Sequence, residues 1–66
     1  MIDARGLSCP EPVIRIKKAM TTGEDHYEIL VDNTTAVENV TRFAQYSGYE
    51  VALQEEGEDF RLVITR

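Results

Sequence analysis

A single cysteine closes off two kinds of structure at once. It cannot form an internal disulfide, and with one histidine in the chain it cannot complete a closed four-ligand zinc site. Tryptophan is absent, and no apolar run approaches the ~20 residues of a membrane-spanning helix. Basic residues are also scarce, seven against twelve acidic ones, for a net charge of −5. Such a chain, without a basic stripe, is a poor partner for nucleic acid, where phosphate neutralisation dominates affinity. No phosphate-binding glycine loop and no GxSxG is present. No charged n-region leads into an apolar h-region at the start, so no signal peptide is expected. An unpaired cysteine suits a reducing compartment, and the cytoplasm is the expected location. No cofactor, metal, membrane or direct nucleic-acid partner is expected.

What is present reads as one small folded domain spanning residues 1–66, with 42% hydrophobic and 29% charged residues. A core of this size supplies only ~3–5 kcal/mol, so stability has to come from regular packing. The charge is uneven. Residues 1–22 hold four basic and two acidic groups, a net of +2, whereas residues 23–66 hold three basic and ten acidic groups, a net of −7. A basic end on an acidic molecule can steer an acidic partner protein.

Hydrophobic periodicity gives the order β-α-β-α-β-β. Ile2 and Ala4 suggest a short first strand ended by Gly6. Residues 10–22 carry a helical stripe of Val13, Ile16, Ala19 and Met20, with Gly23 as the stop. Ile14 falls on the opposite, charged side, between Lys17 and Lys18. Glu24, Asp25 and His26 read as a loop, with His26 a solvated surface residue. Tyr27 to Val31 reads as a central strand. The second helix starts either at an Asn33 cap or at a Thr35–Glu38 capping box, and runs to about Ser47 on a stripe of Ala36, Val37, Val40, Phe43 and Ala44. Tyr49–Glu55 and the alternation of Phe60, Leu62 and Ile64 form an antiparallel pair around Glu56-Gly57-Glu58. Two crossover helices and four strands predict an open mixed sheet with both helices on one face, an α/β (α+β) arrangement. The other face is left thinly covered, which allows a monomer or a weak homodimer.

The chemistry concentrates in Gly6-Leu7-Ser8-Cys9-Pro10-Glu11-Pro12-Val13, which holds the only cysteine and both prolines. Proline favours the first helical turn, so a helix is expected to begin at about Pro10 with Cys9 as its N-cap. The positive end of a helix dipole there lowers a thiol pKa. The two prolines remove N–H groups, leaving mainly the Glu11 N–H for the sulfur, while Glu11 adds a negative charge that Arg5 can offset. The alternative is a small, inert, buried cysteine. A nucleophilic hydrolase needs a positioned histidine beside its cysteine, and a dithiol cycle needs a second cysteine. Neither is available, because His26 is expected to be distant. Glu55, Glu56, Glu58 and Asp59 read as solvated acids at a hairpin tip, without calcium-loop spacing. A lone accessible thiolate can still take a group from one partner and pass it to another, with Arg5, Ile14, Lys17 and Lys18 as a docking surface. The competing reading is a regulatory or interaction module whose cysteine is structural or redox-sensing.

The stretch Ile2-Asp3-Ala4-Arg5-Gly6-Leu7-Ser8-Cys9-Pro10-Glu11-Pro12-Val13 resembles the opening signature of the TusA/SirA/YedF-like sulfur carriers, an Asp, a Gly and a Cys-Pro-x-Pro at this spacing. The resemblance covers the whole chain. Val31-Asp32-Asn33 and the segments 42–44 and 48–51 look most like the YedF-type branch, whose members are linked by name to selenium metabolism. It implies a two-layer sandwich like the C-terminal domain of translation initiation factor 3. It also implies that Cys9 carries a persulfide received from a cysteine desulfurase and passed to an acceptor protein. In this resemblance Pro10 and Pro12 shape the loop, Asp3 and Gly6 belong to the signature, and Glu11 fills its variable position.

Overall fold

A computed structural model describes residues 1–8 and 10–66. In chain order the elements are β1 (Ile2–Asp3), α1 (Glu11–Ala19) extended by a 3₁₀ turn (Met20–Thr22), β2 (His26–Val31), α2 (Thr34–Tyr46), β3 (Glu50–Glu56) and β4 (Asp59–Thr65). The strands form one sheet in the order β1-β2-β4-β3, with β1 parallel to β2 and the other two pairings antiparallel. The expected order and the mixed, open sheet are both present.

Alternation along the strands builds the core. Tyr27, Ile29 and Val31 of β2 lie opposite Ile64, Leu62 and Phe60 of β4. They form one hydrophobic cluster with Ile16 of α1 and with Ala36, Val40 and Ala44 of α2. Ile16, Ile29, Val31, Val40, Leu62 and Ile64 are completely buried, each contributing roughly 1.5–3 kcal/mol by leaving water.

Among the described residues the opposite sheet face carries no helix, and it bears a charged cluster. Arg61 donates to Glu28 at 3.1 Å and also pairs with Glu56, while Glu28 faces His26 Nε2 at 2.9 Å. Two of the acids expected to be free at the hairpin tip therefore have arginine partners, Glu56 with Arg61 and Asp59 with Arg5. His26 is exposed as expected, but it begins β2 instead of lying in a loop, because its pairing with Thr65 extends the ladder by one residue.

Other boundaries shift for local reasons. Asn33 is the cap of α2, its Oδ1 accepting from the Ala36 N–H at 2.8 Å, so the Thr35–Glu38 capping box is not what starts this helix. The last turn of the first helix tightens to 3₁₀ before Gly23, whose φ of 72° ends it. Leu53 remains 52% exposed although it is in register with Leu62, because β3 is an edge strand that the helices cover only partly.

Candidate functional site

The parallel β1–α1–β2 crossover places the segment after β1 beside the carboxyl end of β2. Cys9 itself lies outside the described residues, and the residues around it define the site. The Ala4 N–H donates to the Leu30 carbonyl at 2.8 Å, carrying the β1–β2 ladder one residue past the strand. At Gly6 the chain turns with φ at 75°, a conformation that side-chain-bearing residues rarely adopt. Its N–H donates to Asp32 Oδ2, just beyond β2, at 2.7 Å. Leu7, half-buried, packs against the core cluster.

The chain then enters α1 one residue later than the proline positions suggest. Pro10 is the N-cap and Glu11 the first helical residue. The Glu11 N–H donates to the Ser8 carbonyl at 2.9 Å, and the Ile14 N–H to the Pro10 carbonyl at 3.1 Å. The N–H expected to serve the sulfur is thus engaged by the main chain, because the turn closes on Ser8 before the helix begins. The two prolines differ in role. Pro10 is exposed, whereas Pro12 is among the fully buried side chains.

Arg5 points away from the role of neutralising Glu11. Its guanidinium donates to Asp3 at 2.9 and 3.0 Å and to Asp59 at 3.3 Å, tying the end of β1 to the start of β4. These bonds hold the Asp3 carboxyl down at about 2, with the Arg5 side chain as the main cause. The Asp32 carboxyl also lies below its ordinary value, chiefly because it accepts from Gly6 and then from Asn33. In the sequence Asp32 stands out only as part of Val31-Asp32-Asn33. Its partner is Gly6, distant in sequence, and no local pattern marks such a pairing.

Ile14, Arg15, Lys17 and Lys18 are all exposed on α1, and among the described residues none of the three cations makes an ion pair. Ile14, Lys17 and Lys18 form an exposed, basic and partly apolar face of α1, and Arg5 is engaged elsewhere. Two shallow recesses flank the segment. One, of about 410 Å³, is lined by Pro10, Val13, Asn39, Arg42, Phe43 and Tyr46. The other, of about 610 Å³, is lined by Asp3, Arg5, Gly6, Leu7, Arg15 and Asp59. No helix among the described residues is long and apolar enough to cross a membrane.

Comparison with known proteins follows the same contours. A family profile described as sulfurtransferase TusA matches residues 1–66. A putative sulfur carrier protein of Methanocaldococcus jannaschii is 44% identical, with 98% of this chain and 91% of the relative covered. The sulfur carrier protein TusA of Allochromatium vinosum is 36% identical over 98% of this chain and 90% of its own length. The crystal structure of a SirA-like protein from Desulfitobacterium hafniense superposes with a TM-score of 0.86 at 35% identity, covering 97% of this chain and 92% of that one.

Proposed function

The chain belongs to the sulfurtransferase TusA family, and from that premise we propose that it relays sulfur on Cys9 as a persulfide. The observation that carries this reading is the solitary cysteine. A sulfur carrier holds its cargo on a thiol, and this sequence offers one. The Cys9 thiolate attacks the outer sulfur of a persulfide on a cysteine desulfurase. A new S–S bond forms on Cys9 as the donor's S–S bond breaks, and the electron pair leaves with the donor's cysteine as a thiolate. The second transfer repeats the step, with an acceptor thiolate attacking the outer sulfur on Cys9. No oxidant or reductant is consumed.

The surroundings support this chemistry. Gly6 on Asp32 and Glu11 on Ser8 fix the chain on either side of the cysteine, and Ser8 and Pro10 are exposed. Ile14, Lys17 and Lys18, with Arg5 at the edge, form the docking surface for acidic partners in the cytoplasm, where the protein acts as a monomer or weak homodimer.

The test is to incubate the protein with a desulfurase and cysteine and to weigh it. The wild type gains one sulfur atom that a thiol reductant removes, and Cys9→Ser gains none. If Cys9→Ser gains sulfur as readily as wild type, the reading is wrong. A selenium donor in the same assay reports whether the thiol also accepts the heavier atom, as the YedF-type resemblance suggests. A regulatory module would instead keep its partner binding in Cys9→Ser and show no transfer.

A further inference from the structure

We propose that Asp32 is a positioning residue for sulfur transfer, its carboxylate gripping the Gly6 main chain so that the segment bearing Cys9 leaves β1 along one path. The inference rests on the carrier reading and adds to it a residue remote in sequence from the cysteine. The Gly6 N–H donates to Asp32 Oδ2 at 2.7 Å, the length of a charge-assisted bond. The carboxylate is itself held. Asn33 Nδ2 donates to Asp32 Oδ1 at 3.0 Å, while Asn33 Oδ1 accepts from the Ala36 N–H at 2.8 Å. One asparagine therefore caps α2 and orients the acid that grips the loop.

This chain of bonds refers the loop to two rigid elements, the end of β2 and the first turn of α2. Gly6 suits the arrangement because its positive φ is the conformation in which the N–H meets the carboxylate. Asp32 and Gly6 are both exposed, so the bond adds nothing to core burial; what it fixes is direction. Direction matters in thiol–persulfide exchange, where the attacking and attacked sulfurs must come together in line. A small misplacement of a reacting group costs up to about a hundredfold in rate.

The experiment compares full-length wild type, Asp32→Ala and Asp32→Asn in single-turnover transfer from a persulfide-loaded desulfurase. Alkylation of Cys9 by iodoacetamide is run in parallel. Asp32→Ala is expected to slow transfer about tenfold and to change alkylation less than about twofold. Asp32→Asn, whose amide oxygen still accepts from Gly6 although its NH2 gives up the bond from Asn33, returns transfer to within about threefold of wild type. Transfer by Asp32→Ala at the wild-type rate overturns the inference. So does an Asp32→Asn as slow as the alanine variant, which would make charge and not the grip responsible. An equal loss in alkylation overturns it too, by assigning the effect to thiol reactivity. Should Asp32→Ala fail to fold, Asn33→Asp takes its place. It keeps an N-cap acceptor for α2 but sets a second carboxylate against Asp32, and unchanged transfer there is equally fatal. A wild type that takes up no sulfur on Cys9 overturns the carrier reading and this inference with it. A loading wild type beside an equally fast Asp32→Ala overturns this inference alone.

Discussion

Glu11 donates its main-chain N–H to the Ser8 carbonyl at 2.9 Å, closing a turn ahead of α1. The first N–H of α1 is thereby engaged, and Pro12, the next helical residue, has none to give. The start of this helix is a weaker anion site than an ordinary N-terminus, and the side-chain charge of Glu11 opposes it further.

The first prediction concerns that charge. Glu11→Gln removes a negative group two residues from Cys9 without touching the turn, which uses only the main chain. A charge a few ångströms away in water is felt at about 1 kcal/mol or less. Alkylation of Cys9 near neutral pH should therefore speed up by about two- to threefold, and high salt should erase the difference. A slower reaction in the variant would show that Glu11 assists the thiol instead of opposing it.

The docking surface makes a separate prediction. Ile14→Glu, Lys17→Glu and Lys18→Glu alter exposed side chains of α1, so urea midpoints should stay near wild type. Transfer from a desulfurase should fall several-fold in each, while alkylation by a small reagent is unaffected. Added salt should narrow the gap for the two lysine variants more than for Ile14→Glu, since each lysine variant changes the charge by two, whereas Ile14→Glu changes it by one and also removes an apolar contact. Unchanged transfer in all three variants would remove this face from the account.

The prolines are expected to separate in their effect on stability. Pro12 is fully buried and Pro10 exposed. Pro12→Ala loses two buried methylenes at about 0.8 kcal/mol each, plus about 0.4–1 kcal/mol as the unfolded chain gains freedom. A loss of about 2 kcal/mol is expected from urea unfolding, a large share of what so small a domain has. Pro10→Ala should cost under about 1 kcal/mol. Equal losses would mean that burial of the Pro12 ring is not what distinguishes them.

Legibility from sequence followed the range of each interaction. The element order, the stripes on both helices and the pairing of the last two strands depend on local periodicity, and all were readable. Ile14 stands out from the α1 stripe by angle alone, and it is 36% exposed. What escaped depends on contacts far apart in sequence or on competition within one turn. The grip of Asp32 on Gly6 spans 26 residues, and the tie from Arg5 to Asp59 spans 54. Neither leaves a local pattern. The cap of α1 fell one residue away because a backbone turn from Ser8 to Glu11 competes with the helix for the same N–H. Asn33 and Thr35 were equally good caps by type, and only the position of the Ala36 N–H decides between them.

Acid should act on the same ties that hold the loop. Asp3 is depressed from 3.8 to about 2 by Arg5, and Asp32 is lowered by Gly6 and Asn33. A carboxylate whose folded pKa lies below its unfolded value stabilises the fold fully above the unfolded pKa. That contribution is lost as pH falls through the folded one. For Asp3 the window runs from about 3.8 down to about 2. The urea midpoint should therefore decline within this window, with Asp32 and Glu28 adding to the slope. Asp3→Asn should start from a lower midpoint and decline less steeply. Because Asp3 and Arg5 are each about half exposed, salt should shrink the difference between the two proteins. An Asp3→Asn profile parallel to wild type across the window would mean that the Arg5 pairing does not persist in solution. The loop would then be held on that side by the Ala4–Leu30 and Gly6–Asp32 bonds.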